Sequence, residues 1–432
     1  QYAWRVLSQV LSYAAHLVPE IADDIVAVDE TMRLGYNWKY GPFELIDQLG
    51  GTWFAEKLKA EGMAVPALLE MAGKRSFYRV HEGRLQYLNV EGNYNNVERA
   101  EGVLLLSDIK LKSEPLAKNN SAHLWDIGDG VLCLEFQSKM NSLDLSIMSM
   151  IHKAIKLTSS SYKALVIYNE GANFSVGANI GLLLYAAKFK LWFAINYILK
   201  KGQNAYKALK YAPFPIVGAP ANLALGGGCE ILLHCDAAQA HGETYTGLVE
   251  VGVGIIPGWG GCKEMLIRWK TNPKHPKGPM PSVAKSFEII STASVGKSAA
   301  ECKDFLYLRH DDGITMNRDR LLADAKAKAL SLVENYSPPE ETEISLPGKT
   351  SEVALCMAVD GFHKSGKATT HDAIVSKGLA YTLSGGNTDI TEILTEDDIL
   401  ALEREAFMTL ARHPDTYKRI EHMLNTGKPL RN

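Results

Sequence analysis

The middle of the chain alternates short apolar runs with helix-like stretches, and this alternation constrains the fold more than any other feature. Residues 131–136, 164–168 and 215–219 are short and almost wholly apolar, which is typical of buried strands. Residues 142–157 and 319–335 have the apolar spacing of helices. Strands that alternate with helices predict a layered α/β domain of β-strands and helices.

The two ends of the chain differ from this middle part. Residues 1–92 repeat apolar side chains at helical spacing and lack a clear strand pattern, whereas 93–120 are mostly polar and aperiodic. A second break begins at Ser337-Pro338-Pro339, and the charged residues after it are again helical. We therefore predict a helical domain at 1–92, a linker at 93–120, the α/β domain at 121–336, a second linker at 337–350 and a helical tail at 351–432.

Composition excludes several classes of protein. The chain has 432 residues, 46 Lys+Arg and 49 Asp+Glu, so its formal charge of -3 argues against a globally basic nucleic-acid binder. The six cysteines form no CxxC pair, which predicts a reducing, cytoplasmic setting. The sequence has no HExxH motif, so it gives no support for a zinc site. Lysines interrupt the apolar stretch 181–199 and prolines interrupt 211–229, so we expect no membrane span.

Three local patterns carry chemistry. Gly226-Gly227-Gly228 precedes an apolar helix pattern, and the free N–H groups of a helix start favour a developing oxyanion. Residues 173–180 form a second glycine-containing loop, and Glu250 precedes a third, at 252–261. Taken singly, the glycine triplet fits tight helix–strand packing equally well, whereas the second loop fits an ordinary turn better and Glu250 fits a solvated surface glutamate better.

In combination the three patterns resemble the crotonase, or enoyl-CoA hydratase/isomerase, superfamily over residues of about 121–335. That family has an FxxGAD loop, a GxxxGGGxE segment and a Glu ahead of a PGxGG loop. The corresponding stretches here are 174–179, 222–230, Glu250 and 257–261, and Glu230 and Glu250 are 20 positions apart. The resemblance implies a crotonase-like core that acts on a CoA thioester.

The same resemblance implies a role for individual residues. The backbone N–H groups of Ala178 and Gly227 would form the oxyanion hole, and Glu230 and Glu250 would be the catalytic carboxylates. Glu230 would orient and activate water, Glu250 would handle the Cα proton, and the N–H of Gly258 would position the water. CoA would lie against two short segments, comprising Lys139, Met140, Asn141, Ser175, Val176 and Ile180.

The sequence also departs from the family pattern. Asn179 stands where Asp is common, and Ala221-Asn222 stands where Asn-Gly is common; both positions bear on substrate choice. Leu248-Val249 replaces the usual small residues or Pro before the second Glu, and 270–282 resembles an inserted loop. None of these changes removes a catalytic group.

The first segment resembles the C-terminal helical domain of 3-hydroxyacyl-CoA dehydrogenases, on residues 28–36 and on Gly41-Pro42-Phe43-Glu44-Leu45-Ile46-Asp47. In that family hydride chemistry belongs to a preceding Rossmann domain, and the chain contains no GxGxxG. We therefore expect no bound cofactor, NAD included, and a chain that is the C-terminal part of a bacterial dehydrogenase–hydratase fusion of fatty-acid β-oxidation.

The leading functional hypothesis is a 2-enoyl-CoA hydratase without dehydrogenase activity of its own. An enoyl-CoA isomerase commonly uses a single carboxylate, so the presence of both Glu230 and Glu250 favours hydration. The third hypothesis is a non-catalytic assembly scaffold. The resemblance further implies a homo-oligomer and a thiolase partner.

Overall fold

The computed structural model describes residues 1–432 and divides them into two compact units. Unit 1 comprises residues 1–101 and 106–114, and unit 2 comprises residues 102–105 and 115–432. No helix in the structure combines the length and the apolar character needed to cross a membrane.

Unit 1 contains six helices and a small antiparallel sheet. Its elements are α1 (Tyr2–His16), α2 (Ile25–Tyr36), α3 (Pro42–Leu49), α4 (Gly51–Ala60), α5 (Ala67–Ala72), β1 (Tyr78–His81), β2 (Arg84–Leu88), β3 (Tyr94–Asn96) and α6 (Leu106–Lys110). The strands follow the order β1-β2-β3.

Two aspartates tie the helices of unit 1 together. Asp29 is 1% exposed and accepts hydrogen bonds from the N–H groups of Phe43 (2.9 Å) and Glu44 (3.1 Å), which have no partner inside α3. Asp47, near the end of α3, accepts from the N–H groups of Phe77 and Tyr78, each at 2.7 Å. The spacing of the Asp and GPFEL residues therefore has a structural reason: the carboxylates anchor the start of α3 and the start of the sheet.

The purely helical description of residues 1–92 is wrong, because this segment also forms strands. A two-residue turn at Glu82 and Gly83, with φ of 49° and 68°, joins β1 to β2. The strands are polar and partly exposed, since only Leu88 among the residues of β1 and β2 is buried. They therefore lack the apolar alternation by which a strand is recognised in sequence.

Unit 2 is the α/β unit. Its strands are β4 (Ala117–Lys118), β5 (Ala122–Asp126), β6 (Val131–Phe136), β7 (Ala164–Tyr168), β8 (Ile216–Ala219), β9 (Asn222–Leu225), β10 (Ala237–His241), β11 (Thr244–Gly247) and β12 (Gly313–Thr315). Its helices are α7 (Leu145–Ser161), α8 (Ile180–Lys188), α9 (Trp192–Lys210), α10 (Gly227–Leu233), α11 (Gly261–Thr271), α12 (Pro279–Ser291), α13 (Ala299–Asp304), α14 (Leu321–Ser331), α15 (Lys349–Lys364), α16 (Thr370–Ser384), α17 (Glu396–Ala411) and α18 (Pro414–Thr426). Short 3-10 turns cover 139–141, 250–253 and 318–320.

The main sheet has seven strands in the order β12-β10-β8-β7-β6-β5-β4. Within this sheet the neighbours β12, β10, β8, β7 and β6 are parallel to one another. At the other edge, β5 pairs antiparallel with β6, and β4 pairs antiparallel with β5. A second, two-stranded parallel sheet pairs β9 with β11. The predicted α/β core is confirmed, and its predicted strands are β6, β7 and β8.

The C-terminal helices belong to this same unit, so the predicted linker at 337–350 does not separate two compact bodies. Ile399 and Phe407 of α17 and Ile420 of α18 are buried in one core with Trp259 and Met265. The predicted inserted loop is also shorter than 270–282, because α12 starts at Pro279. Apolar burial, which a sequence pattern cannot assign to a particular partner, decides this packing.

Candidate active site

The glycine-containing loop after β7 runs alongside β9 and so lies against the glycine triplet. The N–H of Ser175 donates to the carbonyl of Leu223, and the N–H of Leu225 donates to the carbonyl of Ser175, each at 2.9 Å. Gly177 has φ of +91°, and a Cβ there would lie 2.9 Å from the Leu225 oxygen and 3.2 Å from the Gly227 nitrogen. Only glycine allows the two loops to approach this closely.

The two N–H groups predicted for an oxyanion hole therefore lie on neighbouring loops. Gly227 is the first residue of α10, so its N–H has no partner within the helix. Ala178 is exposed, and its N–H donates to no backbone acceptor, although the residues on both sides bond to Leu143. The arrangement presents two donors of the kind that stabilise a developing oxyanion.

Glu230, on α10, holds the third glycine-rich loop. Its side chain is 2% exposed, and Oε1 accepts hydrogen bonds from the N–H groups of Trp259 and Gly261, both at 2.8 Å. Burial raises the pKa of Glu230 to about 7, and the two N–H groups oppose part of that rise. Near neutral pH this carboxyl group therefore exists in both its acid and its basic form.

Glu250 begins the 3-10 turn after β11. Its Oε1 lies 2.9 Å from the position that a Cβ on Gly226 would take, and its Oε2 is buried without a hydrogen-bond partner. Burial first, and then the charge of Glu230, raise the pKa of Glu250 well above its usual range. The two predicted carboxylates thus favour different protonation states, as acid–base catalysis by a carboxyl pair requires.

Gly258, the residue predicted to position water, lies between α9 and α17. A Cβ there would be 2.9 Å from side-chain atoms of Leu199 and Phe407, so a larger residue would require these side chains to shift. Its carbonyl accepts a hydrogen bond from the Gln203 side chain at 3.0 Å, while its N–H donates to no protein acceptor.

The segments predicted to contact CoA also come together. The N–H of Val176 donates to the carbonyl of Met140 at 3.4 Å, and the side chain of Asn141 donates to the carbonyl of Asn173 at 2.8 Å. Lys139 and Met140 are exposed, and Val176 and Ile180 are partly exposed.

Ser175 differs from the other predicted CoA contacts, because it is fully buried. Its hydroxyl donates to the carbonyl of Asn141 at 2.8 Å and accepts from the N–H of Gly177 at 3.1 Å. The side chain of Ser175 therefore supports the loop, and a contact between this segment and CoA stays a prediction.

Two departures from the family pattern have structural explanations. The Asn179 side chain accepts from the N–H groups of Gly181 (3.1 Å) and Leu182 (3.2 Å), so it caps α8. Asn222 has φ of 52°, a conformation that Asn adopts more readily than most residues, and it stands where glycine is common.

Sequence reasoning missed the contribution of the C-terminal helices. Glu403 of α17 is fully buried and accepts from the N–H groups of Gly260 (2.9 Å) and Lys263 (2.8 Å). Thr416 donates its hydroxyl hydrogen to the Gly254 carbonyl at 2.9 Å, and Arg419 donates to the Val251 carbonyl at 3.2 Å. One signal was present: Glu403, like Glu396, is a charged residue in the otherwise apolar stripe of α17.

A group of possible metal ligands lies near α18, where atoms of His371, His413 and Asp415 are within 4.8 Å of one another. The His371 ring bonds the Thr416 hydroxyl at 2.9 Å, and the Asp415 N–H donates to His413 at 3.2 Å. The two rings stack with centroids 4.6 Å apart. Because both rings already hold the turn before α18, we assign no metal to them.

Comparison with known proteins identifies two classes of domain in the chain. Residues 126–270 match the enoyl-CoA hydratase/isomerase family, and residues 2–92 match the C-terminal domain of 3-hydroxyacyl-CoA dehydrogenase. Both resemblances predicted from the motifs are confirmed for these stretches. These two stretches are therefore similar to enzyme domains of the hydratase and dehydrogenase types.

Individual relatives agree with this assignment. The chain is 39% identical over 433 residues to a probable 3-hydroxyacyl-CoA dehydrogenase of Bacillus subtilis, covering 99% of this chain and 54% of the relative. It is 29% identical over 418 residues to a putative fatty acid oxidation complex trifunctional enzyme of Rickettsia felis, covering 96% of this chain and 52% of that relative. The chain thus spans about half the length of these relatives.

Among solved structures, an enoyl-CoA hydratase from Bacillus halodurans aligns with a TM-score of 0.48 and 17% identity, covering 70% of this chain and 99% of that one.

Proposed function

We propose that unit 2 is a 2-enoyl-CoA hydratase that adds water across the double bond of the acyl chain. The observation that carries the proposal is the pair of buried Glu230 and half-buried Glu250, whose Oε2 atom is itself buried, next to the loops that present the Ala178 and Gly227 N–H groups. Hydration needs a base for water and an acid for the Cα atom. The pKa of Glu230 is about 7, so this group can act as the base, whereas the pKa of Glu250 is well above its usual range, so this group can act as the acid.

The proposed mechanism gives each group one task. The N–H groups of Ala178 and Gly227 hold the thioester oxygen as negative charge develops on it, and a donor of this kind contributes about 3 kcal/mol. Ionised Glu230 accepts a proton from water as the water oxygen bonds to Cβ. Protonated Glu250 donates its proton to Cα, and a proton exchange between the two carboxyl groups restores the starting state.

The matched substitutions are Glu230→Gln and Glu250→Gln, with exposed Glu405→Gln as the control. General acid–base steps contribute about 10²–10⁴-fold, so each active-site variant should lose hydration by a comparable factor. The assay follows the loss of absorbance of the conjugated enoyl thioester. Near-normal turnover in a folded Glu250→Gln variant would rule out the two-carboxylate mechanism.

The isomerase and scaffold alternatives are separable in the same assay. An isomerase would convert a 3-enoyl-CoA to the conjugated 2-enoyl-CoA, so absorbance would rise and not fall. A scaffold would change neither substrate. The pair of carboxylates favours hydration over both alternatives, because an isomerase commonly needs one carboxylate and a scaffold needs none.

Unit 1 includes the dehydrogenase-type stretch 2–92, so the chain is not free of dehydrogenase structure. We retain as a proposal that these residues alone transfer no hydride to NAD. The sheet of unit 1 has three antiparallel strands, whereas a dinucleotide is usually held at a glycine-rich turn of a parallel sheet. Formation of NADH from 3-hydroxyacyl-CoA by the purified chain would refute this proposal.

The proposed partners are a second copy of the chain and a thiolase, within fatty-acid β-oxidation. A relative over 167 residues, at 32% identity, is named fatty acid oxidation complex subunit alpha, from Idiomarina loihiensis, and that name supports assembly with another subunit. Sedimentation of the chain alone and mixed with a purified thiolase tests both partners.

A further inference from the structure

The loop 257–261 is held from two sides by buried carboxylates, and only one of them belongs to the proposed catalytic pair. Glu230 accepts from the N–H groups of Trp259 and Gly261. Glu403 accepts from the N–H groups of Gly260 and Lys263. The backbone therefore donates alternately to a carboxylate on α10 and to one on α17.

We propose that Glu403 is a positioning residue of the hydratase site: it fixes the start of α11 so that Trp259 and Gly261 reach the Glu230 carboxylate. The inference rests on the proposed hydratase function. Glu403 contacts neither of the predicted oxyanion donors, so its action passes through the loop and through charge.

Geometry explains why a carboxylate holds this loop. Gly260 has φ of +106°, and a Cβ there would lie 2.8 Å from ring atoms of His234, so no side chain can anchor position 260 itself. Gly260 is the N-cap of α11, where N–H groups lack helical partners and negative charge is favourable. The two oxygens of Glu403 satisfy two of these donors.

The helix α17 is fixed in place by a buried ion network. The ammonium of Lys263 lies 2.8 Å from Glu396, at the start of α17, and Lys210 of α9 lies 2.9 Å from the same carboxylate. Lys263, Glu396 and Glu403 are each at most 1% exposed. The position of Glu403 relative to the loop is therefore set by rigid elements, as precise positioning requires.

The charge of Glu403 also acts on the catalytic pair. The titratable groups that face it are Glu230 of α10, Glu250 of the 3-10 turn, and Lys263 and Cys262 of α11. Burial first, and then the charge of Glu230, raise the pKa of Glu403 to about 8, and the charge of Glu403 in turn contributes to the raised pKa of Glu250. Above about pH 8, where Glu403 is ionised, its charge helps Glu250 keep the proton that it donates.

The test compares Glu403→Gln with Glu403→Asp and with the control Glu405→Gln on the same helix. Glutamine removes the charge and places an amide NH₂ against one of the two N–H donors. We expect kcat to fall at least about tenfold with little change in KM, since small misplacements of a site reach about 100-fold. Without the charge, the alkaline limb of the kcat profile should move to lower pH, because Glu250 loses one of the charges that raise its pKa.

Aspartate keeps the charge but is one methylene shorter, so kcat should fall while the alkaline limb stays in place. A folded Glu403→Gln variant with the kcat and pH profile of the wild type would overturn the proposal. If that variant does not fold, Glu403→Asp provides the test. The shorter Asp side chain cannot reach both N–H donors as Glu does, so a wild-type kcat in this variant would also overturn the proposal. If KM rises in proportion to the fall in kcat and the alkaline limb of the kcat profile stays in place, the substitution has disrupted the site generally. That result would also overturn the proposal.

Failure of the proposed function is distinguishable from failure of this inference. If the wild-type chain hydrates no enoyl-CoA, the proposed function fails, and amide hydrogen exchange at 257–263 tests the positioning directly. Faster exchange at these residues in Glu403→Gln than in Glu405→Gln, with α7 unchanged, supports it. Equal exchange in the two variants overturns it.

Discussion

Glu230→Gln should make unit 2 more stable at neutral pH while it inactivates the site. Glutamine has the same shape, and its Oε1 can accept from the same Trp259 and Gly261 N–H groups at 2.8 Å. The substitution removes only the ionisable group, whose burial is costly in the charged form. Stability and activity are therefore expected to move in opposite directions at this position.

The magnitude follows from the raised pKa of Glu230. In the unfolded chain the carboxyl group loses its proton near its ordinary value of 4.5, whereas in the folded protein it keeps the proton until about pH 7. Its contribution to stability is thus fully present below 4.5 and is lost as the pH rises to about 7. At about 1.4 kcal/mol per pH unit, the loss is about 3 kcal/mol.

Urea denaturation of the wild type and Glu230→Gln at about pH 5 and about pH 8 measures this effect. The free energy of unfolding of the variant should exceed that of the wild type at the higher pH, and most of the difference should vanish at the lower pH. Glu405→Gln should follow the wild type at both. Parallel pH dependence in the wild type and Glu230→Gln would refute the assignment of a buried, proton-holding Glu230.

Three further substitutions test other parts of the molecule. Gly177→Ala forces a side chain into φ of +91° and against the Leu225 oxygen, so kcat should fall by about tenfold or more, with circular dichroism as the control for folding. Gly227→Pro removes one proposed oxyanion donor and should abolish most turnover even where substrate binding, measured by calorimetry, persists. Asp29→Ala leaves two N–H groups of α3 without acceptors and should destabilise unit 1 by about 1–3 kcal/mol in thermal unfolding.

Much of the site could be predicted from sequence because its features are local. Glycine at 177 and 227 reflects a backbone that must approach another backbone, and this requirement is visible in the residue type itself. The strands β6 and β7 were likewise predictable, since burial on both faces demands a continuous apolar run. The polar strands β1 and β2 carry no such run and were missed.

The tertiary structure alone decided how the pieces combine. The sequence places Glu230 and Glu250 20 positions apart, but their pKa values depend on the burial and mutual charge that arise only on folding. Glu403 lies 153 positions beyond Glu250 and meets the loop because α17 packs on α11. Local chemistry was therefore determined by the sequence, whereas contacts between distant segments, and the proton affinities that those contacts create, were determined by the fold.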